Sequence, residues 1–337
     1  MKSTYGHKLM SPLLGAVLAA GLSFGAQADS YRMGSQFPSA HSSSVALKGL
    51  VSDVNAATEG RVSIDLFTDS QLGGAFEVID QVRSGQVDFD ISGPEWYGGL
   101  VPALQVLDLP FLINSYDQAY CMIDGSLGQA LSAKVGEKNL VVLGWMVNGF
   151  RNVTNNVRPI SSVDDINGLK IRTPPSKTYL ETFRALGANP QPVDIAELYQ
   201  ALQQGVVDGQ ENPYDNIELR RFNEVQKYLS NTGHFFAWVW IVANKDSYEK
   251  ISDADRTVLT EIINKRVEEQ RMAAAKLADT SRNNLVSEGM TYTEISQEGL
   301  LAFRDKTAPV YELIKQQVPA EVYAAALQAA SDCQSGK

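Results

Sequence analysis

Gly205-Val206-Val207-Asp208-Gly209-Gln210-Glu211-Asn212-Pro213 repeats a run already used once in the chain, at Gly85-Gln86-Val87-Asp88. In both places Gly-x-Val-Asp follows an amphipathic stretch and precedes a loop, which in the first copy is Ser92-Gly93-Pro94-Glu95-Trp96. Reading back from the second copy, Ile195 to Gln204 has helical spacing and Pro190 to Val193 forms a strand edge. Gly187 stops an earlier helix that opens after Thr173-Pro174-Pro175-Ser176, and Leu169 to Arg172 is a strand. The first copy has the same order. A strand over 31–36 meets a Phe37-Pro38-Ser39 turn, and a helix from Ser43 to Thr58 carries Val45, Leu47, Leu50, Val51 and Val54 on one side. Gly60, a strand from Arg61 to Phe67, a helix from about Ala75 to Ser84 and a strand over 87–91 complete it. Parallel β/α units cross over right-handedly and collect ligands beyond the carboxyl ends of their strands. Two such units face to face predict an α/β fold of two lobes with a cleft between them.

The remainder joins the lobes. The aromatic stretch His234-Phe235-Phe236-Ala237-Trp238-Val239-Trp240 lies inside Thr232 to Asn244 and predicts a strand crossing back to the first lobe. Ser252 with Asp255 makes a capping box. The helix it opens continues to about Glu288, roughly 55 Å at 1.5 Å per residue, long enough to brace both lobes. A last helical region over 297–330 is expected to break near Pro309 and Pro319.

Composition removes whole classes of function. A length of 337 residues exceeds what one core usually holds, roughly 250–300 residues. The 39 acidic residues against 29 lysines and arginines argue against nucleic acid, which needs clustered cations. Lys2, His7 and Lys8 precede an apolar run from Leu9 to Phe24 that ends at Ala26-Gln27-Ala28. That pattern is a cleavable secretory leader over 1–28, with the mature chain starting at Asp29. Losing its two lysines takes the formal charge from −10 to −12. In an oxidising compartment Cys121 and Cys333 are free to pair, but sequence leaves open whether they come within reach or remain separate thiols.

Catalytic signatures are missing. After the leader there is no Gly-x-Ser-x-Gly elbow, dinucleotide fingerprint or phosphate-binding loop, and only His41 and His234 remain. Both histidines read as packing or hydrogen-bonding residues, and no catalytic residue, metal site or cofactor is expected. With 39 acidic residues, spacing alone gives a glycosidase-like acid pair little weight.

The informative residues are cations in unusual places. Arg172 alternates with Leu169 and Ile171 inside a strand, directly before two prolines. A guanidinium there is costly to desolvate without a partner, and its planar fork matches a carboxylate. Composition alone favours a salt bridge to a nearby acid; a ligand carboxylate is the alternative. Arg151 lies in polar extended sequence and, taken alone, reads as a surface residue. Asn212 precedes Pro213 on the loop after the second Val-Asp, where its amide could donate to a ligand or simply make a turn.

Gly168-Leu169-Lys170-Ile171-Arg172-Thr173-Pro174-Pro175-Ser176, Ala185-Leu186-Gly187-Ala188-Asn189-Pro190 and the run from Glu197 to Pro213 resemble the extracytoplasmic solute receptors of TRAP transporters, the DctP family. Gly149-Phe150-Arg151-Asn152-Val153-Thr154-Asn155 and Gln71-Leu72-Gly73-Gly74 fit the same resemblance. It implies a two-lobed, periplasmic-binding-protein-like α/β fold with a long helix across both lobes and a central cleft. Lobe I would comprise 29–149 plus about 235–278, and lobe II 150–234 plus about 279–337. By the resemblance Arg172 is the carboxylate-binding arginine, Arg151 an assisting one and Asn212 a ligand contact. Gln36, Phe37, Glu95 and Trp96 take the first-lobe positions, and Phe236 contributes from the aromatic strand. Ile195 departs from a position that often holds Phe, and Trp96 and Tyr97 suggest an apolar or ring-like ligand face. The implied protein is a periplasmic monomer that is not an enzyme. It would bind a small organic acid, a C4-dicarboxylate or sugar acid, for the membrane subunits of a sodium-coupled TRAP transporter.

Overall fold

The computed structural model describes residues 1–4, 6 and 29–334. Most of the expected leader, including its apolar run and cleavage site, therefore lies outside the described residues. The first unit comprises β1 (Asp29–Ser35), α1 (Ser42–Ala57), β2 (Val62–Phe67), α2 (Ala75–Ser84) and β3 (Phe89–Ser92). Then come α3 (Tyr116–Asp124), α4 (Ser126–Gly136) and the long strand β4 (Leu140–Asn155). The second unit is β5 (Lys170–Thr173), α5 (Lys177–Ala185), β6 (Asn189–Pro192), α6 (Leu198–Gln203) and β7 (Gly209–Asn212). After it come α7 (Tyr214–Leu219), a second long strand β8 (Tyr228–Asn244), α8 (Lys245–Lys250) and α9 (Asp253–Ser287). The chain ends with β9 (Thr291–Thr293), α10 (Gln297–Lys315) and α11 (Ala320–Gln334).

One sheet runs β2-β1-β3-β8-β4-β7-β5-β6, with β9 on β8. β1 lies parallel between β2 and β3, just as β5 lies parallel between β6 and β7. β3 and β7 then pair antiparallel with β8 and β4, which pair with each other along most of their length. The echo in sequence is thus a repeat in space, and the aspartates explain it. Asp88 Oδ2 accepts from the Arg32 N–H at 2.7 Å, and its own N–H donates to the Arg32 carbonyl at 3.0 Å. Asp208 holds Lys170 the same way, at 2.8 Å in each direction. Each aspartate fastens the third strand of its unit to the first. The valine before it is buried, and the glycine before that ends the helix in the left-handed region.

Ser252 caps α9, its Oγ accepting from the Asp255 N–H, but the reciprocal half of the expected box is replaced: the Asp255 carboxylate accepts from Ser252 Oγ and from Arg61. α9 spans both units. Gln270 bonds Ser42 of α1 and both backbone groups of Val147, while Asn284 reaches Glu218 of α7. The expectation about Pro309 fails: α10 runs through it, and the break comes at Pro319. An interior proline costs about 3 kcal/mol. Phe303, Val310 and Ile314 are buried on either side of it, each contributing roughly 1.5–3 kcal/mol, so packing carries the helix across.

Cys121 of α3 and Cys333 of α11 are bonded, with Cα atoms 5.7 Å apart, which settles what sequence left open. Cys333 sits in a helix rather than a loose tail. The bond closes 212 residues of chain and ties the last helix to α3. Replacing both cysteines with alanine is expected to cost about 2–4 kcal/mol in urea unfolding, with organic-acid binding unchanged. An unfolding midpoint that does not move would contradict a stabilising role.

Candidate functional site

The carboxyl ends of the two units converge on one small central cavity. Gln36 and Phe37 follow β1, and Glu95 and Trp96 follow β3. From the second half come Arg172 on β5, Asn212 at the end of β7 and Arg151 on β4. Seven of the eight residues singled out in sequence therefore line the same space. The centre measures about 20 Å³ and is flanked by recesses of about 450 and 460 Å³. One recess shares Glu95 and Trp96 with the centre, and the other shares Ile195 and Arg220.

Phe236 is the exception. Cross-strand partners share a face of the sheet, and Phe236 pairs with Phe150 while Phe235 pairs with Arg151. Phe236 consequently packs among Phe150, Tyr116 and Trp238, away from the cavity, and Phe235 stacks on Tyr179. Tyr97 also belongs to the core: it packs on Trp240 and donates to Asp90 at 2.7 Å. Trp96 alone of that pair faces the site.

Arg172 is 1 % exposed, its Nε donates to the Val193 carbonyl at 2.7 Å, and its Nη2 is buried with no partner. Among the described residues it makes no salt bridge to a neighbouring acid, the pairing that composition alone favoured. Burial pulls its pKa down to about 9, only partly offset by Glu211, so at neutral pH it remains a cation with an unused donor. An unpartnered buried guanidinium aimed into a cavity is a receptor for an anionic oxygen.

Arg151, a surface residue when read alone and an assisting arginine by the resemblance, is buried and already engaged. Its Nε and Nη2 grip the Glu211 carboxylate, Nη2 also reaches the Glu211 carbonyl at 2.7 Å, and the guanidinium lies over the Tyr179 ring. Burial works against the charge on Glu211, but Arg151 and His234 hold its pKa below the usual glutamate range. His234 Nε2 lies 3.2 Å from Glu211, while Nδ1 bonds Thr232 at 2.7 Å. Burial lowers the His234 pKa, so the ring is neutral, donating from Nε2 and accepting at Nδ1. Arg151 also donates to Asn212 Oδ1 at 3.3 Å, and the Asn212 amide donates to Gln210 at 2.6 Å. This network fixes the floor of the cavity.

Three polar lining residues were missed in sequence: Asn148, Asn216 and Arg220. Arg220 Nη2 donates to the Gln36 carbonyl at 2.7 Å, and Asn216 donates to Asn148 Oδ1 at 2.5 Å. A signal existed for two of them, because Asn216 and Arg220 are four residues apart and so share the face of one helix, α7 and its C-cap. Further contacts join the two units around the cavity: His41 to Asp215 at 3.0 Å and the Ala75 N–H to Asp194 at 3.1 Å. Among the described residues no three His, Cys, Asp or Glu side chains group to hold a metal ion.

Two β/α units joined by long crossing strands, with a charged cavity between them, define the two-lobed solute-binding proteins. The chain belongs to the DctP family, bacterial extracellular solute-binding proteins of family 7, whose model matches residues 33–317. A solute-binding protein of Chromohalobacter salexigens is 33% identical over 307 residues, covering 91% of each chain. The 2,3-diketo-L-gulonate-binding periplasmic protein YiaO of Escherichia coli is 37% identical over 237 residues, covering 70% of this chain and 72% of its own. Among solved structures, the sugar acid binding protein DctPAm of Advenella mimigardefordensis in complex with galactonate superposes with a TM-score of 0.88 at 30% identity. It covers 91% of this chain and 99% of its own. The chain is thus a TRAP solute-binding protein, of a family that binds small organic acids for membrane transport components.

Proposed function

We propose that the protein captures a small organic acid in the periplasm, by gripping the ligand carboxylate with Arg172, and delivers it to a sodium-coupled TRAP membrane complex. The observation that carries this reading is the buried, unpartnered Nη2 of Arg172 on the central cavity. A leader ending at Ala28 would export the chain. Arg151 acts through Glu211 and Asn212, holding the floor in place.

Residues 29–149 with about 235–278 form one lobe, and 150–234 with about 279–319 the other; α11, expected with the second lobe, instead packs on α3 and α4 of the first and is tied to it by Cys121–Cys333. Both crossings carry a glycine at positive φ, Gly149 at 115° and Gly233 at 52°, and β4 and β8 slip register around Val147 to Val153. Such irregularities give a hinge its freedom. Contacts such as Arg220 to the Gln36 carbonyl close the cleft, and a sugar acid needs more room than about 20 Å³ at its centre. Ligand entry therefore requires the lobes to part, and the ligand favours closure through contacts made with both sides.

A thermal-shift screen over organic acids tests the function. A ligand at 100 times its dissociation constant stabilises by about 2.7 kcal/mol. One or more small carboxylates are expected to raise the melting temperature, and amides of the same acids are not. Equal shifts from acid and amide would contradict the carboxylate reading.

A further inference from the structure

Building on the Arg172 reading, we propose that Glu95 makes the site selective for a polyhydroxy monocarboxylate, accepting hydrogen bonds from ligand hydroxyls and excluding a second carboxylate. The cavity holds three arginines, but they are not equally free. Arg151 is neutralised by Glu211. Arg220 is bonded to the Gln36 carbonyl and lies in the field of Asp69, Asp194 and Asp215. Arg172 also feels Glu211 and Asp194, but its Nη2, unlike that of Arg220, has no hydrogen-bond partner among the described residues, which suits one ligand carboxylate.

Glu95 is the acid left over. It is 6 % exposed, lines both the centre and one recess, and takes no hydrogen bond from another side chain among the described residues. Its carboxylate folds back over Gly93, where a Cβ would lie 2.0 Å from Oε2, so the glycine leaves room for it. A buried carboxylate whose hydrogen bonding is limited to its own backbone N–H is under-satisfied, which is costly. Sugar hydroxyls are donors of the right kind, and Trp96 beside them offers an apolar face for carbon-bound hydrogens. A second ligand carboxylate would instead meet a like charge in a dry site.

The charged and titratable groups acting on Glu95 are Arg151, Arg172, Glu211, Asp108 and Tyr179, while Arg220 lines the same centre and Lys177 the adjoining recess. Burial raises the Glu95 pKa to about 7, partly offset by Arg151. Burial, with Glu95 adding repulsion, also raises Asp108, which accepts from Ser176 at 3.1 Å. Above about pH 7 Glu95 is anionic and repels a diacid; below it the protonated group can donate to one.

Calorimetric titration with matched acids reads the effect: galactonate against galactarate, and glucuronate against glucarate. At pH 8 the wild type is expected to prefer the monoacids by about tenfold or more. Glu95→Gln should bring the ratio close to one by gaining diacid affinity, and lowering the pH to 6 should narrow it in the wild type. A wild-type ratio near one at pH 8, or a preference that neither the variant nor acid pH alters, overturns the role of Glu95. Binding of neither monoacid overturns the ligand class. Failure of the Arg172 reading is separate, and would show as Arg172→Ala retaining monoacid affinity.

Discussion

Arg172→Ala is expected to weaken organic-acid binding by about 30- to 5,000-fold, the range that corresponds to roughly 2–5 kcal/mol for truncating one side of a buried charged contact. The ligand-free protein should unfold within about 1 kcal/mol of wild type. The physical reason is the asymmetry of its contacts. Arg172 gives up one bond, to the Val193 carbonyl, and relieves a buried charge whose Nη2 has no partner. Arg172→Lys keeps the charge but loses the planar fork, so intermediate affinity is expected. Near-wild-type affinity in the alanine variant would remove Arg172 from the site. A large loss of ligand-free stability would make it a structural residue instead.

The opposite pattern is expected at Glu211. Glu211→Ala leaves Arg151 charged at 2 % exposure and deprives His234 of the acceptor for its Nε2 proton. Breaking a buried ion pair from one side costs about 3–5 kcal/mol. Pairing it with Arg151→Met should recover much of that loss, since removing both charges relieves the desolvation that one stranded charge suffers. Urea unfolding of the ligand-free variants measures this. A single-variant loss under about 1 kcal/mol, or a double variant no better than the single, would contradict the view that the pair is a structural unit.

These two arginines also show what sequence can and cannot tell. The repeat was legible because its residues recur at one fixed spacing and each glycine ends the helix just before it, even though each Asp bonds a strand 56 or 38 positions back. Arg172 was legible because a cation among strand apolars is conspicuous. Arg151 was misread from its neighbours alone, because its partner Glu211 is 60 positions away on a strand that only the fold places beside it. Phe236 was misplaced by one residue of strand parity, which decides the face of the sheet and is set by pairing with β4. The Cys121–Cys333 bond likewise depends on α11 returning to α3. Pro309 failed as a helix break because local propensity was outweighed by burial on either side.

The most direct measurement is a crystal structure of the protein with the tightest-binding acid from the thermal-shift screen. The ligand carboxylate is expected to sit about 2.7–2.9 Å from the Arg172 guanidinium, with Nη2 among its donors, while Arg151 stays on Glu211. A carboxylate held by Arg220 or by Arg151, with Arg172 making no contact to the ligand, would contradict it.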